Sequence, residues 1–205
     1  MPVAIMETSK LPKTLIIACG ALAREILMVI NVNTLNNMEV TCLPASLHNR
    51  PEKITDAMRD KIHEHRHNFD RIIAMYADCG TGGMLDKMLE EEGVTRIPGA
   101  HCYEFYATSK NFQSISENEI GSFYLTDYLA RQFDALIMEG LGLNEHPELL
   151  SMYFGNYTRL VYLAQTEDVE LQNKAEAAAK KLGLKYEYSY TGLGDLETFL
   201  TNQAH

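Results

Sequence analysis

An apolar run, a cysteine and a glycine-rich turn follow one another in residues 71–83, RIIAMYADCGTGG. The run Arg71–Met75 is short and rich in isoleucine, which is typical of a strand buried in a parallel sheet. Three glycines then precede the good helix formers of Met84–Glu92, and Gly93 is suited to end that helix. The stretch therefore predicts a strand, a turn and a helix, with Cys79 just beyond the carboxyl end of the strand.

The same order of apolar run and cysteine occurs three more times in the chain. The other runs are Thr14–Ala18, Met38–Cys42 and Val94–Pro98, and the cysteines at or near their ends are Cys19, Cys42 and Cys102. Helices are predicted between them at Ala21–Leu27 and from Pro51 toward Phe69. Because strands that alternate with helices form parallel sheets covered on both faces, these units predict an α/β fold.

The alternation is interrupted after Glu104 and resumes at Arg159. Residues 121–140 are apolar at helical spacing, and a short helix is predicted at Pro147–Phe154. The last elements are the strands Arg159–Ala164 and Lys185–Tyr190 and the helices Val169–Leu182 and Asp195–Leu200. We expect a mostly parallel, doubly wound sheet of about five to six strands, with a helical insertion between strands four and five.

A chain of 205 residues is long enough for one well-packed domain and short for two. We therefore expect a single α/β domain over residues 1–205. Its parts are the cysteine-bearing units of 14–104, the helical insertion of 105–158 and the closing strands and helices of 159–205. Residues 1–13 are expected to form a tail or an extra edge segment.

Composition and charge exclude several classes of partner and location. The formal net charge of -10 opposes nonspecific binding to nucleic acid and to anionic membranes. No apolar run approaches the roughly 20 residues that cross a bilayer, and the first residues lack the features of a signal peptide. We therefore expect a cytosolic protein whose four cysteines are reduced thiols, available for metal binding or thiol chemistry.

The cysteine positions predict a shared site. In open α/β sheets, ligands bind outside the carboxyl ends of the strands, and all four cysteines would lie at that edge if the strands are neighbours. Thiolates from separate loops can bind zinc or an iron–sulfur cluster. The predicted metal ligands are Cys19, Cys42, Cys79, Cys102 and His101. The alternative is that each cysteine is a small buried hydrophobic residue.

Neighbouring residues could supply the remaining chemistry. The predicted catalytic residues are Glu104 as a base, His48 as a proton carrier and Asp78 beside Cys79. The backbone of Gly80, Thr81, Gly82 and Gly83, together with Arg50, is predicted to hold an anionic part of a substrate or cofactor. A tight turn, a surface helix entry and an ordinary helix carboxylate are the alternatives for these residues.

Two aromatic segments, Tyr124–Tyr128 and Tyr153–Arg159, are suited to the wall of a pocket for a small organic ligand. Tyrosine combines an apolar ring with a hydroxyl group, which is useful at such a wall. Core packing with a polar edge is the alternative. The predicted partner is accordingly a small molecule, either anionic or methylated.

Five strings together resemble the family called domain of unknown function 1638. They are Ala18–Leu22, Cys42–Pro51, Asp78–Gly83, His101–Glu104 and Tyr162–Thr166, and the resemblance extends from the first strand to Gly194. The family name implies no established activity. It does imply a context, because such proteins are often encoded near corrinoid-dependent methyltransferases of anaerobic one-carbon metabolism.

These observations lead to one hypothesis and two alternatives. The hypothesis is a cytosolic metal–thiolate enzyme, or an accessory enzyme, of one-carbon or methyl-group metabolism, in which a metal-bound thiolate accepts a methyl group. The first alternative is a carrier or maturation protein that binds a metal, a corrinoid or a methylated ligand without turnover. The second is a metal-free thiol enzyme with one activated cysteine. The sequence leaves the oligomeric state and the interacting methyltransferase or corrinoid proteins open.

Overall fold

The computed structural model describes residues 11–107 and 121–203. Its strands form one sheet of four strands, in the order β2-β1-β3-β4, and one sheet of three, in the order β5-β6-β7. Every strand pair is parallel. The expected α/β fold with parallel strands is confirmed, and its strands are divided between two sheets. Of the predicted N-terminal tail, residues 1–10 lie outside the described residues.

The first sheet is built around a fully buried central strand, β1 (Thr14–Cys19). β1 pairs with β2 (Met38–Leu43) on one side and with β3 (Arg71–Met75) on the other, so that Ile17 lies opposite both Thr41 and Ala74. β4 (Thr95–Arg96) pairs with β3 at the far edge. A strand covered on both faces must be apolar throughout, which explains the unbroken run of β1.

Four helices belong to the first sheet: α1 (Ala23–Val32), α2 (Ile54–His65), α3 (Met84–Glu92) and α4 (Glu104–Ala107). α3 has the predicted bounds and ends at Gly93 in the left-handed conformation. The helix predicted from Pro51 toward Phe69 is α2 with a short 3-10 turn at each end.

The second sheet contains β5 (Ser122–Leu125), β6 (Arg159–Ala164) and β7 (Lys185–Tyr190). Its helical elements are α5 (Asp127–Arg131), a π-helix at Asp134–Glu139, α6 (Leu150–Phe154) and α7 (Val169–Leu182). Successive side chains of β6 pack on opposite faces of the sheet. Leu160 and Tyr162 pack with α7, while Val161 and Leu163 pack with Ala107. Both faces of the central strand are therefore covered, as in the first sheet.

β5 is the element that the sequence pattern did not reveal. Residues 121–140, expected to be helical, begin with this four-residue strand, and α5 starts only after Thr126, whose side chain accepts a hydrogen bond from Leu129 N–H. Four residues are too few for a strand period to be distinguished from a helical one. Part of the predicted insertion, residues 108–120, lies outside the described residues.

β4 is the edge strand of the first sheet and is short. The ladder continues to the N–H of Ile97, which donates to Ala74 O, and the next residue is Pro98. Proline has no N–H group and cannot extend a ladder. β5, β6 and β7 form a sheet of their own instead of extending one sheet as predicted.

The last helix, α8 (Gly194–Asn202), follows the second sheet in sequence and packs on the first. Its Leu196 and Leu200 are fully buried in the same cluster as Ile26 and Phe105. A Cβ atom on Gly194 would lie 2.4 Å from the carbonyl oxygen of Tyr106, and the residue has φ of +50°, so glycine is required where α8 meets α4. Among the described helices, none has the length and apolar character needed to cross a membrane.

Because Leu200 completes the core of the first sheet, we expect Leu200→Ala to lower the free energy of unfolding by about 2–5 kcal/mol. Urea denaturation followed by circular dichroism measures this change. Val169→Ala is the matched control, since Val169 is 68% exposed and its truncation should change the value by less than about 0.5 kcal/mol. Equal, small effects of the two changes would contradict the packing of α8 on the first sheet.

Candidate functional site

The strand order creates a crevice at the carboxyl end of β1. The chain leaves β1 toward β2 on one side and returns to β3 on the other. Ligands bind at such a reversal of strand order in open α/β sheets. Cys19 is the last residue of β1, and Cys79 follows β3 by four residues. Two of the predicted site cysteines therefore lie at this crevice.

A third cysteine reaches the crevice because the loops after β3 and β4 are joined. The N–H of Cys79 donates to Ala100 O at 2.9 Å, and the N–H of Asp78 donates to Gly99 O at 3.2 Å. These bonds place the Sγ atoms of Cys79 and Cys102 3.3 Å apart. A disulfide bond would require about 2.05 Å, so the two groups are free thiols in hydrogen-bond contact.

Cys19, Cys79 and Cys102 form what we call the thiol centre. Hydrogen bonds to Cys19 and Cys79, followed by burial, raise the pKa of Cys102 well above its ordinary value. Cys102 therefore keeps its proton and donates. Its hydrogen bond is the largest influence on Cys19, whose pKa falls to about 7 although burial opposes the shift. The hydrogen bond with Cys102 also lowers the pKa of Cys79, but Cys102 has a single proton and therefore supports one neighbouring thiolate at a time.

Tyr76 is a member of the site that the sequence did not reveal. It is fully buried directly after β3, and its side chain hydrogen-bonds Cys19. Burial, followed by the charge of Cys19, raises the pKa of Tyr76, so its hydroxyl keeps a proton to donate. In the sequence Tyr76 continues an apolar run and resembles core. Its place at the carboxyl end of a strand was the available signal.

Cys42 is separated from the thiol centre. It lies on β2, which β1 separates from β3 and the crevice, and it pairs with Ala18. Because successive side chains alternate in a strand, this pairing directs Cys42 away from the face of Cys19. Burial, followed by the charge of Cys19, raises the pKa of Cys42. The structure thus brings together three of the four cysteines predicted to share a site.

The predicted metal centre is not preformed. Across residues 11–107 and 121–203, no group of three or more histidine, cysteine, aspartate or glutamate side chains is arranged to hold a metal ion. The thiols of the centre are instead hydrogen-bonded to one another. Metal binding by Cys19, Cys79, Cys102 and His101, with or without Cys42, stays a prediction.

The thiol centre lines a cavity with about 500 Å³ of empty volume, partly open to solvent. Ala21 and Leu22 form one side of it, next to Cys19. The opposite side comes from the second sheet and its helices, and consists of Thr126, Tyr128, Leu129 and Leu136. The cavity therefore lies where the carboxyl ends of the two sheets meet, and most of its wall is apolar.

A second cavity, with about 590 Å³ of empty volume, adjoins the first and shares His48, His101, Tyr103 and Leu129 with it. Its wall includes Phe123, Tyr124 and Tyr157, which belong in part to the predicted aromatic segments. Tyr103 stacks on His101 at 4.9 Å and on Tyr124 at 5.0 Å between ring centroids. Stacking on these two rings holds the Tyr103 side chain in place between the cavities.

His48 and His101 are brought close together at this partition. His48 as a whole is exposed, but its ring lies at the cavity wall, and the partial loss of hydration there, followed by the charge of His101, lowers the pKa of His48. At neutral pH His48 is therefore an uncharged imidazole that can accept a proton. This position agrees with its predicted role as a proton carrier, which stays a prediction.

Asp78 holds the glycine turn. Its carboxylate accepts hydrogen bonds from the Thr81 hydroxyl at 2.5 Å, from Gly83 N–H at 2.8 Å and from Gly82 N–H at 3.2 Å. The amides predicted to cradle an anionic ligand thus already bind an anion of the chain itself. The turn also keeps Cys79 at φ of +48°, a conformation that is uncommon for residues other than glycine.

Two other predicted site residues lie outside the thiol centre. Glu104 accepts hydrogen bonds at 3.1 Å from the N–H groups of Ala100 and His101, so it positions the loop that carries His101 and Cys102. Arg50 is exposed and lines neither of the two cavities. A catalytic role for Glu104 and an anion-binding role for Arg50 stay predictions.

Comparison with known proteins identifies a family. The family model described as "Protein of unknown function (DUF1638)" matches residues 42–200. The matched range includes Cys42, Cys79 and Cys102 and begins after Cys19. No curated protein and no solved structure matches the chain.

The glycine turn predicts a pH-dependent stability. Burial alone would raise the pKa of Asp78, but the hydrogen bonds from Thr81, Gly83 and Gly82 outweigh it and lower the pKa. The carboxylate therefore stabilises the fold fully above its unfolded pKa of about 3.9, and this contribution is lost as the pH falls through the lower folded value. We expect Asp78→Ala to cost about 1–3 kcal/mol of unfolding free energy at pH 7, and less at pH 3.

Urea denaturation at both pH values measures this difference. The exposed Asp60→Ala in α2 is the control, and it should change the free energy of unfolding by less than about 0.5 kcal/mol at pH 7. An effect of Asp78→Ala that is the same at pH 7 and pH 3 would contradict the role of the ionised carboxylate.

The hydrogen bond between Tyr76 and Cys19 predicts a shift in thiol reactivity. Tyr76→Phe removes a donor to the thiolate, so the pKa of Cys19 should rise, though by less than loss of the stronger Cys102 hydrogen bond would raise it. The pH dependence of iodoacetamide alkylation, followed at the Cys19 peptide by mass spectrometry, measures it. Tyr128→Phe is the matched control, because Tyr128 lines the same cavity. A larger shift with Tyr128→Phe would show that Tyr76 is not the donor.

Proposed function

The chain belongs to the DUF1638 family, and we propose that it is a thiol-dependent enzyme in which Cys19 accepts a small group from an organic ligand. One observation carries the proposal: Cys19, Cys79 and Cys102 meet at the wall of a cavity, with the sulfur atoms of Cys79 and Cys102 3.3 Å apart. A hydrogen bond from Cys102 then lowers the pKa of one neighbouring thiol at a time. The thiolate is the nucleophilic form of cysteine. With a pKa of about 7, Cys19 is about half ionised at neutral pH.

The proposed step is a nucleophilic substitution. Cys19 Sγ forms a bond to a carbon atom of the ligand while the bond from that carbon to the leaving group breaks. The leaving group departs with the electron pair and, in most chemical classes, takes up a proton. Hydrogen bonds from Cys102 and Tyr76 hold the attacking thiolate in position before the step, and the apolar wall of the cavity limits competing water.

A methyl group is the group that we propose to be transferred. It fits beside the buried thiol centre, and it agrees with the one-carbon context that the family resemblance implies. A methylated small molecule or a corrinoid would be its source. An anionic ligand is not part of the proposal, because Arg50 lines neither cavity and the turn amides bind Asp78. The chemistry requires reduced thiols and hence a reducing compartment such as the cytosol.

A zinc–thiolate centre is a second candidate, favoured by the 3.3 Å separation of the Cys79 and Cys102 sulfur atoms. Two thiolates on one tetrahedral zinc ion, each about 2.3 Å from the metal, lie ~3.8 Å apart. Small changes of side-chain torsion would therefore bring the thiols to that distance. Three protein ligands with one open position are also typical of catalytic zinc. An iron–sulfur cluster is less favoured, because it usually takes four cysteines and Cys42 lies apart.

Alkylation mapping separates the two candidates. The protein is purified under anaerobic, reducing conditions and treated with iodoacetamide at pH 7, and each cysteine is quantified by mass spectrometry. We expect Cys19 to react at least tenfold faster than Cys42, because more of it is ionised. Similar rates at all four cysteines would contradict the thiol-enzyme proposal.

The same sample, with and without added Zn²⁺, tests the second candidate. A zinc centre predicts one bound zinc per chain and simultaneous protection of Cys19, Cys79 and Cys102. Cys102→Ser should then abolish binding, while Cys42→Ser, the matched control, should retain it. Substoichiometric zinc with unchanged alkylation rates would exclude the zinc centre and leave the thiol enzyme.

A further inference from the structure

Cys79 and Cys102 are two thiols in direct contact at the wall of the cavity. Their Sγ atoms are 3.3 Å apart, and both residues are partly exposed. A disulfide bond holds two sulfur atoms at about 2.05 Å, so only a short approach separates this dithiol from a disulfide. Cys19 lies deeper, at 4% exposure, and Cys42 lies on the outer strand β2. Cys79 and Cys102 are therefore the pair that is both in contact and accessible.

The loops hold the two thiols together independently of the contact between the sulfur atoms. The backbone hydrogen bonds described above join the loop after β3 to the loop after β4. Arg96 fixes the second loop as well, because its Nη1 donates to Ile97 O at 2.8 Å and to Gly99 O at 3.1 Å. The same guanidinium forms two hydrogen bonds to the carboxylate of Asp86 in α3. The dithiol is therefore preformed by the fold.

A preformed dithiol favours exchange with a disulfide. The first thiol forms a mixed disulfide with the ligand, and the second thiol can then attack it in an intramolecular step with a high effective concentration. Cys79 is suited to the first attack, because its hydrogen bond with Cys102 lowers its pKa against the effect of burial. Interactions with Cys79 are among the causes that raise the pKa of Cys102. Conversion of Cys79 to a mixed disulfide removes these interactions and so prepares Cys102 for the second attack.

We propose that Cys79 and Cys102 are a redox-active dithiol that reduces small disulfides entering the cavity of the thiol centre. The Cys79 thiolate attacks one sulfur atom of the ligand, and the other sulfur atom leaves with the electron pair of the S–S bond and takes up a proton. The Cys102 thiolate then attacks Sγ of Cys79, and the second ligand thiol leaves in the same way. The protein gains one disulfide bond, while the ligand gains two electrons and the two protons that the protein thiols lose.

This activity goes beyond the proposed function and does not depend on the nucleophilic role of Cys19. It does influence that role, because oxidation of Cys102 removes the proton that Cys102 donates to Cys19. A low-molecular-weight thiol of a reducing compartment would return the pair to the dithiol form by the reverse exchange. The thiol centre would then support a Cys19 thiolate only while the pair is reduced.

A single-turnover exchange with 2-hydroxyethyl disulfide tests the proposal. The reduced protein, freed of added reductant, is mixed with one equivalent of this probe under anaerobic conditions, and the released 2-mercaptoethanol is quantified. We expect two thiols to be released per chain and the protein to lose two hydrogen atoms in mass. Peptide mapping should identify a disulfide that joins Cys79 to Cys102.

Variants of single cysteines assign the two steps. Cys102→Ser should stop the reaction at a mixed disulfide on Cys79, with one thiol released per chain. Cys79→Ser should slow thiol release by at least about tenfold, because the high pKa of Cys102 leaves little thiolate for the first attack. Cys42→Ser is the matched control and should react as the unchanged protein does. Circular dichroism checks that each variant is folded.

Two results with the unchanged protein would overturn the proposal. One is a disulfide that joins Cys19 to Cys102, and the other is a mixed disulfide that persists on Cys79 while Cys102 stays a free thiol. Alkylation of Cys19 is a separate measurement. If Cys19 reacts with iodoacetamide no faster than Cys42 while the disulfide between Cys79 and Cys102 forms, the proposed function fails and this proposal stands. If Cys19 is reactive and that disulfide does not form, this proposal alone fails.

Discussion

The parallel pairing of β1 with both β2 and β3 is the constraint on which the thiol centre depends. Parallel strands end at the same edge, so Cys19 at the end of β1 and the loop after β3 must meet there. The hydrogen bonds between the loops after β3 and β4 then bring Cys102 to Cys79. The same strand order leaves Cys42 on the outer strand β2. The strand order therefore decides which thiols interact and keeps Cys42 out of the thiol centre.

Bringing thiols together in a partly buried crevice has opposing energetic effects. Burial disfavours the thiolate form, while a hydrogen bond from a neighbouring thiol favours it. At Cys19 the hydrogen bonds prevail, and at Cys42, where none is formed, burial prevails. The left-handed backbone of Cys79 is a further cost of about 1 kcal/mol or more, which the hydrogen bonds of Asp78 to the adjoining turn offset. The hydrogen bonds of Asp78, which lie outside the cavity, thus help to keep Cys79 in the thiol centre.

Much of the fold was predictable from local patterns, because long elements with clear ends carry strong signals. α3 and α7 have the predicted bounds, and each ends at a glycine in the left-handed conformation. Strand order was not predictable, because it depends on pairing between distant residues, and it is what separates Cys42 from the other thiols. Tyr76 was missed for a related reason. It continues the apolar run of β3, and its importance comes from tertiary neighbours that a sequence pattern does not show.

α8 is synthesised after the second sheet, yet it packs in the core of the first sheet. The core of the first sheet contains Leu196 and Leu200, so it remains open until residues 194–202 have left the ribosome. During synthesis β1, which carries Cys19, and β3, which precedes Cys79, must therefore wait with apolar surface uncovered while the second sheet is made. A chaperone that shields this surface would act mainly during that interval. The thiol centre would consequently be among the last parts of the protein to acquire its final environment.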